Sequence, residues 1–209
     1  MTFVLFGINH DFFPSSVKLT EGLSTYALTI PVRGVLGEMI RSERSALKSA
    51  SNEEDLRITI ASFAVKEMME NTIIKWLQRV YGFMSSFQLS FNNYGGYPQN
   101  SIYLRVQHSE ALSLMAQQLK TIDEYIRSGG CPGMNIYTRP QLPIGMQLSE
   151  TAYEKAIPEY SRKIFNASFE VEEIELISYN AEKGTRVVNI FRLLPVSFLK
   201  HQNITSYAI

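Results

Sequence analysis

Seven stretches of the chain combine apolar residues with the short length and flanking turn residues that are typical of β-strands. The clearest alternation of apolar and polar positions is in residues 86–91 (SFQLSF). A turn-forming segment at 92–98 (NNYGGYP) follows it and predicts a hairpin with the next strand. The predicted strands are residues 26–32, 56–65, 86–91, 101–106, 137–148, 168–179 and 185–194.

Four stretches between these strands carry apolar residues at helical spacing instead. In the second, Ile73, Leu77 and Val80 share one side of a helix. Glycines at 129–133 end the third helix, and Pro158 is expected to kink or divide the fourth. The predicted helices are residues 33–50, 67–83, 109–127 and 149–165.

The resulting order of elements, β-α-β-α-β-β-α-β-α-β-β, consists of two similar halves. We therefore predict an α+β fold with two pseudo-symmetric lobes around a cleft. This domain is expected to span residues 23–196. Residues 1–22 are interpreted as an N-terminal extension that could add an edge strand, and residues 197–209 as a C-terminal tail.

Composition narrows the class of protein. The 209 residues are 45% hydrophobic and 19% charged, as in ordinary globular proteins. Twenty basic and twenty acidic residues cancel, so the net charge gives no support for a general nucleic-acid-binding surface, although a local basic cleft remains open. Cys131 is the only cysteine, which excludes a disulfide framework and suits a reducing cytoplasm. The apolar run at 3–8 is too short to span a membrane, and we expect a cytoplasmic protein without a membrane anchor.

Two hexapeptides in the predicted strands look like two copies of one motif. They are residues 56–61 (LRITIA) and 140–145 (PQLPIG). Together they resemble the paired Pro-His-apolar-Thr strands of the two-histidine phosphoesterases, the 2′-5′ RNA ligase-like superfamily. The resemblance extends over most of the chain, from about Tyr26 to about Pro195. It implies antiparallel-rich sheets that line a central cleft, with helices outside.

The resemblance also implies a chemistry that these residues do not support. In the family, one histidine from each motif exchanges a proton during cleavage of 2′,3′-cyclic phosphates, and a Thr or Ser hydroxyl from each binds the phosphate. Here the histidine positions hold Arg57 and Gln141, which do not exchange protons near neutral pH. Thr59 is retained, whereas Pro143 replaces the second hydroxyl. No catalytic set is therefore intact. Because each lost acid or base costs roughly 10²–10⁴-fold in rate, we lean towards a protein that is not an enzyme.

The three histidines of the chain do not obviously restore this chemistry. His10 falls in the N-terminal extension and His201 in the tail. His108 lies between a strand and a helix, where a capping or surface role is the simpler interpretation. No His, Cys, Asp or Glu cluster has metal-ligand spacing, so neither a metal nor another cofactor is predicted.

Four residues around the motifs are candidates for binding a phosphorylated ligand. Arg57 and Arg139 could hold a phosphate through charge-assisted hydrogen bonds. Thr59 and Gln141 could add neutral contacts. The alternative for each arginine is a solvent-exposed position or a carboxylate partner.

Three tyrosines of the predicted hairpin, Tyr94, Tyr97 and Tyr103, could stack on a base, although packing is the more common use of such residues.

The main hypothesis is a catalytically degenerate homologue that binds a nucleotide, an RNA end or another phosphorylated ligand in the cleft. One alternative is a residual or altered phosphodiesterase that uses His108. Another is a non-catalytic structural or partner-binding protein, whose Arg57 would be paired with a carboxylate and whose cleft would lack a pocket of ligand size.

Overall fold

The computed structural model describes residues 23–47, 56–97, 100–180 and 184–196. The predicted extension at 1–22 and tail at 197–209 lie outside these ranges. The elements in chain order are β1 (Leu23–Pro31), α1 (Gly34–Ala46), β2 (Arg57–Lys66), α2 (Glu70–Tyr81, preceded by a 3-10 turn at Glu67–Met69), β3 (Phe87–Tyr97), β4 (Ser101–Val106), α3 (Glu110–Ser128), β5 (Asn135–Ile136), β6 (Gln141–Gly145), α4 (Glu150–Arg162), β7 (Asn166–Val171), β8 (Glu173–Asn180) and β9 (Gly184–Arg192).

The strands form two antiparallel sheets. One has five strands in the order β5-β2-β1-β8-β9, and the other has four in the order β6-β4-β3-β7. Both sheets take strands from the two halves of the chain. The two motif strands therefore lie in different sheets, β2 in the first and β6 in the second, and these two strands contact each other. The predicted α+β architecture of two lobes is confirmed.

The helices pack on the sheets through apolar stripes. On α2, Ile73, Leu77 and Tyr81 are buried at a spacing of four residues, and the helix contacts β9 and α3. Helices α1 and α4 contact the four-stranded sheet instead. A serine caps the N-terminus of both α3 and α4. The hydroxyl of Ser109 accepts a hydrogen bond from the backbone N–H of Leu112, and that of Ser149 accepts one from Ala152. Helix α4 runs through Pro158 without being divided.

Residues 92–97 continue strand β3, so the predicted turn at 92–98 is wrong for this part. The turn-forming residues produce an irregularity inside the strand instead. Asn93 adopts a left-handed conformation with φ +57°, and it exchanges hydrogen bonds of 2.7 and 3.0 Å with the backbone of Phe165. Gly95 is required for a packing reason, because a Cβ there would lie 2.6 Å from the ring of Tyr103 on the paired strand.

The predicted strand at 168–179 is two strands in different sheets. β7 pairs with β3, whereas β8 pairs with β1 and β9. The alternation of apolar residues shifts by one position at Glu172 and Glu173, between Val171 and Ile174, and this weak signal was missed. The predicted strand at 137–148 is also shorter than expected, since only Gln141–Gly145 pairs with β4.

Two buried tyrosines make a matched pair for testing the core. Burial raises the pKa of Tyr81 far above its ordinary value, and its hydroxyl has no hydrogen-bond partner among the described residues. The hydroxyl of Tyr26 donates to Glu70 at 2.7 Å. We expect Tyr81→Phe to leave the free energy of unfolding unchanged or raise it by up to about 1 kcal/mol, and Tyr26→Phe to lower it by about 1–2 kcal/mol. Urea denaturation measures both, and an equal loss in the two variants would contradict the prediction.

Candidate functional site

The first motif residue, Arg57, is paired with a carboxylate. Its Nε donates to Oε2 of Glu175 on β8 at 2.8 Å. Glu175 is 1% exposed and the Arg57 side chain 18% exposed, so solvent screens this pair weakly. A guanidinium remains protonated at neutral pH, so Arg57 supplies charge here and no proton transfer.

A second arginine, Arg33, also binds Glu175. Arg33, which immediately precedes α1, donates to the other oxygen of Glu175 and also to Glu173. The group of Arg33, Arg57, Glu173 and Glu175 thus holds two positive and two negative charges and is neutral. The five-stranded sheet therefore offers little net positive charge at its motif position, although it carries an arginine there.

The register of the sheet explains how these groups meet. Thr59 on β2 lies opposite Thr29 on β1, and Thr29 lies opposite Glu175 on β8. Residues directly opposite each other in antiparallel strands share a face, and residues two apart along one strand do so as well. Thr59, Arg57 and Glu175 therefore face the same side of the sheet. A β-bulge follows at Ile60, which has no counterpart in β1.

The second motif strand, β6, begins at Gln141. Its Pro143 is buried, and the carbonyl oxygen of Pro143 accepts two hydrogen bonds from the buried Arg44 of α1, at 3.0 and 2.8 Å. Pro143 therefore anchors β6 to α1 through its backbone, while its ring supplies no hydroxyl. This strand lies next to β4, where Arg105 is directly opposite Gln141.

A cavity of about 440 Å³ lies beside β4 and β6, a size that suits a small ligand. Arg139 and Gln141 line it, whereas Arg57 and Thr59 are not among its described lining residues. The residues that matter for its chemistry are Tyr103, Arg105, His108, Thr138, Arg139 and Gln141.

The cavity is basic. Arg105 and Arg139 are exposed, and neither has an ion pair or a hydrogen bond with any residue in the described part of the chain. None of the described lining residues is acidic. An anion that enters the cavity would thus meet two guanidinium groups that have no counter-charge among the described residues, in contrast to Arg57.

His108 also lines this cavity. Its Nε2 forms a hydrogen bond of 3.2 Å with the hydroxyl of Ser113, one turn into α3, and its side chain is exposed. His108 is therefore a surface residue, as expected, and it also lies beside the second motif strand. The other ring nitrogen, Nδ1, is the atom that a ligand would find available for a hydrogen bond.

The three hairpin tyrosines have different surroundings. Tyr103 lines the cavity, and its ring lies over Gly95. Tyr94 is buried against Tyr160 and Phe165, so it is not placed to stack on a base. Burial, followed by the nearby Glu43 carboxylate, raises the pKa of Tyr94 far above its ordinary value. The side chain of Tyr97 lies outside the described part of the structure.

Sequence reasoning missed two residues of this site. Arg105 joins Gln141 only through the pairing of β4 with β6, and Glu175 joins Arg57 only through β1. Arg105 carried a weak signal, because it is a charged residue within an apolar strand. Glu175 carried no such signal, because it is one of four glutamates within residues 168–179 and alternates there with apolar residues.

Cys131 is buried in the core, and its Sγ lies 3.7 Å from the sulfur of Met69. It therefore packs as a small apolar residue.

In the ranges that the structure describes, no three His, Cys, Asp or Glu side chains are grouped closely enough to hold a metal ion. No helix within the same ranges is long and apolar enough to cross a lipid bilayer.

No family model matches the sequence, and no curated protein matches it in sequence. Solved structures do match the fold. A phosphoesterase has 18% identity and a TM-score of 0.58, with 82% of this chain and 98% of that chain covered. LigT from E. coli, complexed with 3′-AMP, has 17% identity and a TM-score of 0.58 over 82% of this chain and 98% of its own. TT0787 from Thermus thermophilus has 13% identity and a TM-score of 0.61 over 82% of this chain and 99% of its own.

These neighbours match across both lobes and cover nearly the whole of their own length. The likeness therefore covers most of the predicted order of strands and helices. The chain has the two-lobed 2′-5′ RNA ligase-like fold of the two-histidine phosphoesterases.

Proposed function

We propose that this protein is a catalytically degenerate relative of the 2′,3′-cyclic phosphodiesterases that binds a nucleotide, an RNA end or another phosphorylated ligand. The observation that carries the proposal is the basic cavity, in which Arg105 and Arg139 lie beside Gln141 with no carboxylate among the described lining residues. Guanidinium groups bind phosphate through charge-assisted and often bidentate hydrogen bonds.

Two features support the loss of catalysis. Gln141 has an amide, which does not titrate, and Arg57 has a guanidinium that is already paired with Glu175. Neither motif position can take or give a proton near neutral pH. Pro143 lacks a hydroxyl for the phosphate, and its backbone oxygen is occupied by Arg44.

Of the four candidate binding residues, Arg139 and Gln141 line the cavity, and the proposal rests mainly on them. Arg57 and Thr59 lie on β2, which contacts β6. They lie outside the described lining of the cavity, and they would meet a ligand group held between β2 and β6. The E. coli LigT structure contains 3′-AMP, which supports a nucleotide as the kind of ligand to test first.

A residual or altered phosphodiesterase is the second candidate, and the position of His108 favours it. Imidazole is the side chain best suited to exchange a proton at neutral pH, and His108 lines the same cavity as Gln141. A single histidine could act as acid or base while Arg105 and Arg139 stabilise charge on the phosphate.

A purely structural or partner-binding protein is the third candidate. The pairing of Arg57 with Glu175 agrees with it. The cavity of about 440 Å³ does not, because that volume is of ligand size and its charge is uncompensated. A cytoplasmic location remains part of the proposal and rests on the single cysteine.

Phosphorus NMR of an oligonucleotide that ends in a 2′,3′-cyclic phosphate tests the first two candidates together. We expect the cyclic phosphate resonance of the wild-type sample to shift or broaden on binding and to persist without conversion to a monoester. Conversion by the wild type that is lost in His108→Ala would establish the second candidate instead. A resonance that neither shifts nor converts at millimolar protein would contradict both.

A further inference from the structure

The two motif strands offer unequal charge to a ligand. On the five-stranded sheet, Arg57 and Arg33 are held by Glu173 and Glu175, so the group is neutral. On the other side, Arg105 of β4 and Arg139, which lies just before β6, have no counter-charge among the described residues. Among the residues that the structure describes, the uncompensated positive charge thus lies on one side of the cleft.

Strand pairing sets the backbone position of Arg105, whereas Arg139 lies in the bend that precedes β6. Arg105 lies directly opposite Gln141 on the paired strand, where Cβ atoms are about 5 Å apart. Arg139 precedes Gln141 by two residues and lines the same cavity. The two guanidinium groups and the Gln141 amide therefore line one cavity, and all three can donate hydrogen bonds to phosphate oxygens.

We infer that this cavity is selective for a terminal phosphate monoester, and that Arg105 and Arg139 are the residues that determine this selectivity. The inference rests on the proposed function and assigns its ligand class. A monoester carries a charge of about −1.5 to −2 at neutral pH, which two uncompensated guanidinium groups match. A cyclic or bridging diester carries a single negative charge and leaves one of the two arginines without a counter-charge.

The rest of the cavity accommodates the remainder of such a ligand. Tyr103 presents a ring whose position is fixed by its contact with Gly95. A base or sugar that extends from the phosphate can pack on this ring. The Thr138 hydroxyl and His108 supply polar contacts at the rim. An end-on nucleotide therefore uses the apolar and the basic parts of the cavity together.

Isothermal titration with three probes of the same base tests the selectivity: adenosine 3′-phosphate, adenosine 2′,3′-cyclic phosphate and adenosine. We expect the monoester to bind about tenfold or more tightly than the cyclic ester, and adenosine to bind most weakly. Arg105→Gln and Arg139→Gln are each expected to weaken monoester binding about tenfold, and to weaken cyclic-ester binding less. The matched control is Arg79→Gln, an exposed arginine at the end of α2 outside the cavity.

The outcomes separate this inference from the proposed function. Equal affinity for the monoester and the cyclic ester, both sensitive to Arg139→Gln, would overturn the inference and leave phosphate binding at this cavity intact. No binding of either phosphate would remove the proposed function as well. A loss in Arg79→Gln as large as in Arg105→Gln would show that total charge governs affinity, which also overturns the inference.

Discussion

Replacing Glu175 by glutamine is expected to lower the free energy of unfolding by about 3 kcal/mol. The substitution keeps the size of the side chain and removes its charge. It removes the carboxylate charge of Glu175 from the guanidinium of Arg57, which is only 18% exposed. Removal of one partner from a buried pair is costly because the remaining charge stays desolvated. Urea denaturation with an unchanged m-value is the measurement.

Glu38→Gln is the matched control for this prediction. Glu38 is 75% exposed and pairs with Arg41 three residues later on α1. Such a surface pair contributes about 0.5 kcal/mol or less, and we expect a correspondingly small loss. The double variant Arg57→Gln, Glu175→Gln is expected to be more stable than Glu175→Gln alone, since no unpaired charge then remains on β2. Equal losses in Glu175→Gln and Glu38→Gln would contradict the assignment of Glu175 as a buried counter-charge.

The local elements could be predicted because their signals are local. Apolar residues at helical spacing identified α2, and Ser109 with Gly129 bounds α3 as expected. The strand β7 was not separated from β8, because strand-forming residues lie on both sides of the exposed Glu172, at which the chain changes sheets. Propensity describes which residues form strands, whereas the choice of sheet depends on partners distant in sequence.

The continuation of β3 through residues 92–97 was missed for a related reason. Asparagine and glycine are typical of turns, yet here they serve a bulge and a close ring contact. Asn93 takes the left-handed conformation while it bonds the backbone of Phe165, and Gly95 makes room for Tyr103. Both reasons involve another strand or loop, so the sequence of the hairpin alone favours the wrong structure.

The sequence predicted the strands that carry the candidate site, but it identified only some of the residues that lie there. The motif positions Arg57 and Gln141 begin β2 and β6, as the resemblance implied. The partner of Arg57 is 118 residues away in sequence, and two strand pairings are needed to bring it near. The charge of the cavity likewise depends on Arg105, which the register of β4 and β6 places beside Gln141.

Restoring the family motifs is the change with the largest expected effect on activity. The variant Arg57→His, Gln141→His, Pro143→Thr is expected to open a 2′,3′-cyclic phosphate at least about 10²-fold faster than the wild type, since a general acid or base contributes roughly 10²–10⁴-fold. The introduced threonine keeps the backbone carbonyl that Arg44 binds and adds the missing hydroxyl. Phosphorus NMR of a cyclic-phosphate-ended oligonucleotide measures the rate.

Glu175 is expected to determine which of the two introduced imidazoles acts as the general acid and which as the general base. The carboxylate that now pairs with Arg57 would lie beside the imidazole introduced on β2 and raise its pKa, because a nearby negative charge favours the protonated form. That imidazole is then suited to protonate the leaving oxygen, and the one introduced on β6 to take a proton from water. Arg57→Gln, Gln141→His, Pro143→Thr is the matched control, which lacks the first imidazole, and it is expected to be about 10²-fold slower than the restored variant.

The restored variant distinguishes an intact cleft from a rearranged one. Turnover by this variant, with none by the wild type, would mean that β2 and β6 still bring both motif positions to one phosphate and that only the chemical groups were lost. A folded restored variant that binds the oligonucleotide without cleaving it would mean that the strands no longer converge on one phosphate, and the motif assignment of Arg57 and Gln141 would be wrong. Turnover by the wild type that disappears in His108→Ala would mean that the chemistry has moved to the rim of the cavity, because His108 is the described lining residue with an imidazole side chain.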